Sequence, residues 1–150
     1  MAEGKVALAR DTRTPGKTLG KLADHKNWSV RADVAANPRT PAKALAKLAN
    51  DKRWEVRTEV ALNLNATDKV LDLLASDEHV AVRTAVALNP NAPTSALRRL
   101  SKDKNTTVRL RVAENRNAPS GVVRRLAADE ERSVRRSAGA NHQTPKKVKS

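Results

Sequence analysis

The stretch TPAKALAKLANDKRWEVRTEVALNLN, residues 40–65, decides how the chain is read. It is one copy of a unit that recurs along the sequence. The plainest marker is the dipeptide Val-Arg, at Val30-Arg31, Val56-Arg57, Val82-Arg83, Val108-Arg109 and Val134-Arg135, always 26 residues apart. No insertion interrupts the spacing, so the full copies are 14–39, 40–65, 66–91, 92–117 and 118–143. A fixed period of this length signals stacked supersecondary units, none of which can bury its apolar face alone.

Within each copy the pattern predicts two short helices. The first follows Thr14-Pro15, Thr40-Pro41, Ala92-Pro93 or Ala118-Pro119, read as a threonine N-cap with proline at the first helical position. The third copy departs from this, and Thr67 or Asp68 is expected to cap there. Leucines at i and i+3, as in Leu45 and Leu48, mark one buried stripe, with Leu19/Leu22, Leu71/Leu74, Leu97/Leu100 and Val123/Leu126 as its equivalents. After a polar turn the second helix carries Val56, Val60 and Ala61, and it stops at an asparagine: Asn37, Asn63, Asn89, Asn115 or Asn141. Asparagine tolerates the left-handed conformation that ends helices, and the prolines at Pro38 and Pro90 cannot continue one. Helices this short are marginal in isolation, so stacking must hold them. Residues 1–13 read as a half-repeat that covers the first copy, with Lys5 where the later arginines stand, and residues 144–150 begin a further copy as a basic tail.

Composition agrees with thin helical layers in one repeat domain spanning 1–150. Trp28 and Trp54 are the only aromatic residues, so the core must come from Leu, Val and Ala. Without cysteine there is no disulfide, thiolate metal site or cysteine nucleophile. The N-terminus has no long apolar stretch and no segment approaches a membrane span, so the expectation is a soluble, cytoplasmic protein without a membrane partner. The formal charge of +14 is the one extreme and raises the prospect of a polyanionic partner.

The Thr-Pro start, the Leu-x-x-Leu-Ala helix, the Asp, the Val-Arg-x-x-Val-Ala run and the Asn-Pro end together resemble the leucine-rich repeat variant family across residues 14–143. That resemblance implies an all-α fold: a right-handed α-solenoid of paired short helices, one α and one often 3₁₀, stacked in HEAT-like fashion. The family's founding example adds a cysteine-containing iron–sulfur module, which has no counterpart in a chain without cysteine. The family has no common activity, so the resemblance leaves function open.

Two ladders of polar residues read as structural. The arginines Arg31, Arg57, Arg83, Arg109 and Arg135 are expected to pair with the aspartate six positions earlier, at Asp51, Asp77, Asp103 and Asp129, with His25 in the first copy. HEAT-type repeats are similar, and a guanidinium can satisfy a carboxylate and turn carbonyls together. The asparagine ladder is read as capping and turn chemistry.

The basic residues that vary between copies are the candidate binding set. Lys17, Lys21, Lys43 and Lys47 lie opposite the leucines on the first helix, as do Arg98, Arg99, Arg124 and Arg125 in later copies, and the turns add Lys52, Arg53, Lys102 and Lys104. Stacked, these columns form a basic edge able to follow a nucleic-acid backbone or an acidic protein. The third copy interrupts it with Asp68, Asp72, Asp77 and Glu78. Trp28 and Trp54 share a column and are expected to pack over the neighbouring repeat with partial exposure. The histidines stand singly, and there is no phosphate loop, nucleophile elbow or pair of carboxylates in an apolar setting.

The expectation is therefore a non-enzymatic binding module, without cofactor or small-molecule substrate, whose basic edge engages a polyanion such as nucleic acid. The alternative is a protein-interaction scaffold using the groove of second helices at positions such as Leu62, Leu88 and Leu110. A remote third reading is a DNA glycosylase built on HEAT-like repeats, but every candidate aspartate falls in a column that the structural ladder explains.

Overall fold

Each copy folds as a seven-residue helix, a tight turn and a nine-residue helix. The computed structural model describes residues 2–141; His142, Gln143 and the basic tail 144–150 lie outside the described residues. The leading half-repeat is α1 (Ala2–Arg10). The pairs that follow are α2 (Gly16–Leu22) with α3 (Trp28–Ala36), α4 (Ala42–Leu48) with α5 (Trp54–Leu62), and α6 (Asp68–Leu74) with α7 (Val80–Leu88). The array continues with α8 (Thr94–Leu100) and α9 (Thr106–Glu114), then α10 (Ser120–Leu126) and α11 (Arg132–Ala140). No strand and no 3₁₀ helix occurs among the described residues. Hydrogen bonds of 3₁₀ type appear where helices end: the N–H groups of Asp51 and Asn50 reach back three residues to Leu48 and Lys47 after a first helix, and that of Asn63 reaches back to Val60 after a second. No helix among the described residues is long and apolar enough to cross a membrane.

The leucine stripe and the valines of the second helices meet in one continuous core. Leu45, Leu71, Leu97, Val56, Val82 and Val108 are fully buried. Each such side chain contributes about 1.5–3 kcal/mol by leaving water. The second helices add fully buried alanines at Ala9, Ala35, Ala61, Ala87 and Ala113. These small residues let α1, α3, α5, α7, α9 and α11 pack closely on one another, whereas neighbouring first helices touch far less. A layer spaced more tightly than its partner bends the stack toward itself, which puts the second helices on the inner side of the curve and the first helices outside.

Two local expectations are corrected. Thr14 and Thr40 are not N-caps: Pro15 and Pro41 occupy that position, and the threonine hydroxyls instead donate backward, to Leu8 O at 2.7 Å and Val34 O at 2.5 Å. A buried hydroxyl beside the frayed carbonyls of the preceding helix satisfies one of them, which outweighs capping a helix whose proline already lacks an N–H. In the third copy Thr67 does cap, accepting the Val70 N–H at 3.4 Å. The asparagines are not left-handed either; each has extended backbone, as at Asn89 with φ −72° and ψ 121°. Their recurrence at one position of every copy has another cause, a set of hydrogen bonds to the copy before.

Candidate functional site

The arginine column is an inter-repeat ladder. Arg31, Arg57, Arg83 and Arg109 each lay a two-pronged fork on the aspartate twenty residues later, in the turn of the next copy. Nε and Nη2 of Arg57 donate to Asp77 at 2.7 and 3.0 Å, and those of Arg83 to Asp103 at 2.7 and 3.3 Å. Arg31 holds Asp51 at 2.6 and 3.1 Å, and Arg109 holds Asp129 at 2.8 and 3.1 Å. The expected pairing with the aspartate six residues earlier is wrong in one respect. That residue contributes its backbone carbonyl, which accepts from Nη1 (Asp77 O from Arg83 at 2.9 Å), while its side chain faces the arginine of the previous copy. The long guanidinium spans the layer boundary, and only there can it meet a carboxylate and turn carbonyls in one plane.

The two columns break together in a way that could have been read from the sequence. Twenty residues before His25, where the pattern puts an aspartate, stands Lys5 instead of arginine. His25 keeps the turn-closing part of the aspartate's work, its Nδ1 accepting the Asn27 N–H at 3.1 Å. Arg135 donates to the carbonyls of Asp129 and Glu130 at 2.7 Å each and is exposed.

The four paired forks are only 6–11% exposed on either side. For Asp51, Asp77 and Asp129 burial pushes the carboxyl upward, but the arginine hydrogen bond and a backbone N–H two residues on outweigh it, and each lies below the usual carboxylate range. A depressed folded-state value adds stability that is present above the unfolded value near pH 4 and is lost as pH falls through the folded value. Urea unfolding is therefore expected to show constant stability from about pH 7 to 5 and a progressive loss below about pH 4. A flat profile down to pH 2 would contradict the ladder.

The asparagine column is a second ladder, also between copies. Nδ2 of Asn89 donates to Ala61 O at 2.8 Å and Asn63 O at 3.2 Å in the preceding copy, and Oδ1 accepts the Asn91 N–H at 2.8 Å. Asn37, Asn63, Asn115 and Asn141 repeat both donations. These ends of the helices are buried, so every carbonyl there needs a donor.

The variable basic residues all project from the first helices and the turns. Lys17, Lys21, Lys43, Lys47, Lys52, Arg98, Arg99, Lys102, Lys104, Arg124 and Arg125 are exposed. Lys47 pairs with Asp24, and Arg99 bonds Ser76. Arg53 leaves the set: its guanidinium lies 4.7 Å over the Trp28 ring and pairs with Glu55 at 2.6 Å. The other nine make no ion pair among the described residues. Lys102, Lys104 and Arg125 come together around one open depression of about 770 Å³, beside the Arg109–Asp129 fork.

The tryptophans pack over neighbours as expected, each a little over one-third exposed. What the sequence reading missed is the partner. Residue i+25, at the start of the next copy's second helix, covers each indole; His79 stacks on Trp54 at 4.1 Å with the rings 2° from parallel. A carboxylate pair not expected from the sequence is Asp33 on α3 and Glu59 on α5, close enough for one charge to act on the other. Burial first, and the Asp33 charge second, raise the Glu59 carboxyl above its ordinary value.

The leucine rich repeat variant family profile matches residues 80–105 and 106–131, two adjacent 26-residue units that each run from the start of a second helix to the turn before the next one. No curated protein matches the chain. Among solved structures, the crystal structure of an engineered protein superimposes with a TM-score of 0.50 at 17% identity, over 91% of this chain and 86% of that one. At that identity the likeness speaks to the fold alone.

Proposed function

We propose that this array of leucine rich repeat variant repeats is a binding module whose outer basic layer engages a polyanion, with the nucleic-acid backbone as the favoured partner. The observation that carries the reading is the contrast between two sets of cations. The ladder arginines Arg31, Arg57, Arg83 and Arg109 are buried and neutralised in pairs, while nine lysines and arginines on the first helices and turns are exposed without an ion pair among the described residues. Uncompensated surface cations hold no structural debt, and release of the counterions around a polyanion is the free energy they can draw on.

The layout supports a flexible strand over a stiff duplex. The cations sit on the outer side of the curve, where a straight rod touches only a short length and a single strand can follow the surface. They also fall in two groups, Lys17 to Lys52 and Arg98 to Arg125, separated by Asp68, Asp72 and Glu78 of the third copy. Labelled single-stranded and double-stranded oligonucleotides titrated between about 50 and 200 mM salt test this directly. Tighter binding of the single strand is expected, with a salt slope that falls by roughly one unit for each phosphate contact removed by Lys17→Glu, Lys43→Glu or Arg125→Glu. Binding confined to the lowest salt, or untouched by these substitutions, would reduce the charge to a solubilising coat.

A further inference from the structure

The inner face carries a different message from the outer one. Across it run columns of second-helix residues whose character changes along the array. One column reads Asp33, Glu59, Ala85, Arg111 and Ser137, and the next Ala32, Thr58, Thr84, Leu110 and Arg136. The acidic end has an unmet demand: Asp33 is paired with Arg10 at 3.0 Å, but Glu59 is half-buried with no cation among the described residues. The opposite end has exposed Arg132 and Arg136, likewise without an ion pair there. Between them lies a mainly apolar trough of about 320 Å³, formed by Leu62, Val80, Ala81, Ala85 and Leu88 with Thr58, Thr84, Asn105 and Thr107 at its sides. Leu62, Val80 and Leu88 are 37–49% exposed, a large apolar share for three neighbouring side chains.

We propose that this trough docks an extended segment of a partner protein, with basic side chains at one end, two or three aliphatic side chains in the middle and acidic side chains at the other. The polarity follows from complementarity: a lysine or arginine satisfies Glu59, the aliphatic groups cover Leu62, Val80 and Leu88, and carboxylates meet Arg132 and Arg136. The dimensions agree. Helices pack about 8–10 Å apart, so α5 to α11 spans about 24–30 Å, which an extended chain covers in about eight or nine residues. Alternate side chains of such a strand face the trough, which suits the step from Leu62 on α5 to Leu88 on α7. Desolvation of Glu59, which raises its carboxyl, is the state that gains most from an incoming cation. A nucleic acid is the poorer occupant, because Glu59, without an ion pair among the described residues, repels phosphate at one end and there is no run of cations along the floor.

A synthetic nonapeptide, Lys-Lys-Leu-Ala-Leu-Ala-Leu-Glu-Glu with blocked ends and a fluorophore, tests the proposal by anisotropy against the full chain. Saturable binding is expected, weakened at least about tenfold by Glu59→Arg and by Leu88→Asp, both on exposed or half-exposed positions whose circular dichroism should not change. The companion peptide with glutamates replacing the lysines is expected to bind the Glu59→Arg protein more tightly than the unaltered one. A single-stranded oligonucleotide should not displace the peptide, which separates this face from the outer basic layer. Absence of saturation up to about 1 mM peptide, equal affinity after Glu59→Arg, or displacement by the oligonucleotide would each overturn it.

Discussion

Replacing Arg83 with alanine is expected to lower the unfolding free energy by about 3–5 kcal/mol, because it strands a buried partner and does not merely delete a contact. Asp103 loses both prongs of its fork, and the carbonyls of Asp77 and Glu78 lose the Nη1 donor. Whole domains are stable by only about 5–15 kcal/mol, so the change is a large fraction of the total. Arg83 sits at the centre of an array in which each copy touches only its neighbours, so the variant should also unfold over a broader range of urea as the two halves lose cooperativity. Arg135→Ala provides the control. That arginine is exposed and among the described residues bonds carbonyls alone, so its loss should cost within about 1 kcal/mol.

A double-mutant cycle then separates pairing across copies from pairing within one. Arg83 and Asp103 should show a coupling of about 1–3 kcal/mol, while Arg109 and Asp103, six residues apart, should show about 0.5 kcal/mol or less, since Arg109 uses only the Asp103 carbonyl. Equal couplings, or an Arg83→Ala cost under about 1 kcal/mol, would mean that the forks do not hold the copies together.

The second large effect belongs to Asn89→Asp. Asn89 is 1% exposed, and the substitution turns two donated hydrogen bonds into a carboxylate facing the carbonyls of Ala61 and Asn63. At pH 7 the cost is expected to be about 3 kcal/mol or more, as a buried charge keeps only the Asn91 N–H as a donor and faces two carbonyl oxygens. Its pH dependence is the diagnostic part. Burial and the two carbonyls raise the pKa of this aspartate above its unfolded value of about 3.9, so protonation favours the folded state and restores one donor. The urea midpoint of the variant should therefore rise between pH 7 and pH 5, in a range where that of the unaltered protein stays level. Asn89→Ala leaves the same carbonyls unmet and also orphans the Asn91 N–H, with no dependence on pH. Identical pH profiles for the two variants would show that the asparagine acts only as a helix stop.

How far the chain could be read in advance follows from which interactions are periodic in sequence and which cross from one copy to the next. The unbroken spacing from Arg31 to Arg135, the Leu45–Leu48 stripe and the Val56–Val60–Ala61 face located the helices and the core, because helical burial depends on spacing within a dozen residues. Thr14 and Thr40 misled, since a hydroxyl before a proline fits a cap by local rules while its actual acceptor lies six residues back on the preceding helix. The candidate cations were legible as a class, and their exposure followed from standing opposite the leucines. Arg53 was not, because its ring partner Trp28 belongs to the copy before.

By itself, then, the sequence determined the repeat, the two helices of each unit, the apolar stripe and the excess of positive charge, all of which are properties of residues near one another in the chain. Only the tertiary structure decided the partners. It turned the arginine–aspartate register from six residues back to twenty forward, and it made the asparagines bridges to carbonyls 26 and 28 residues away. It also set Glu59 in a half-dry site near the charge of Asp33, from the copy before. The reason is geometric: stacking brings each turn against the next copy's turn, so a long side chain meets its partner across a boundary that local spacing does not describe.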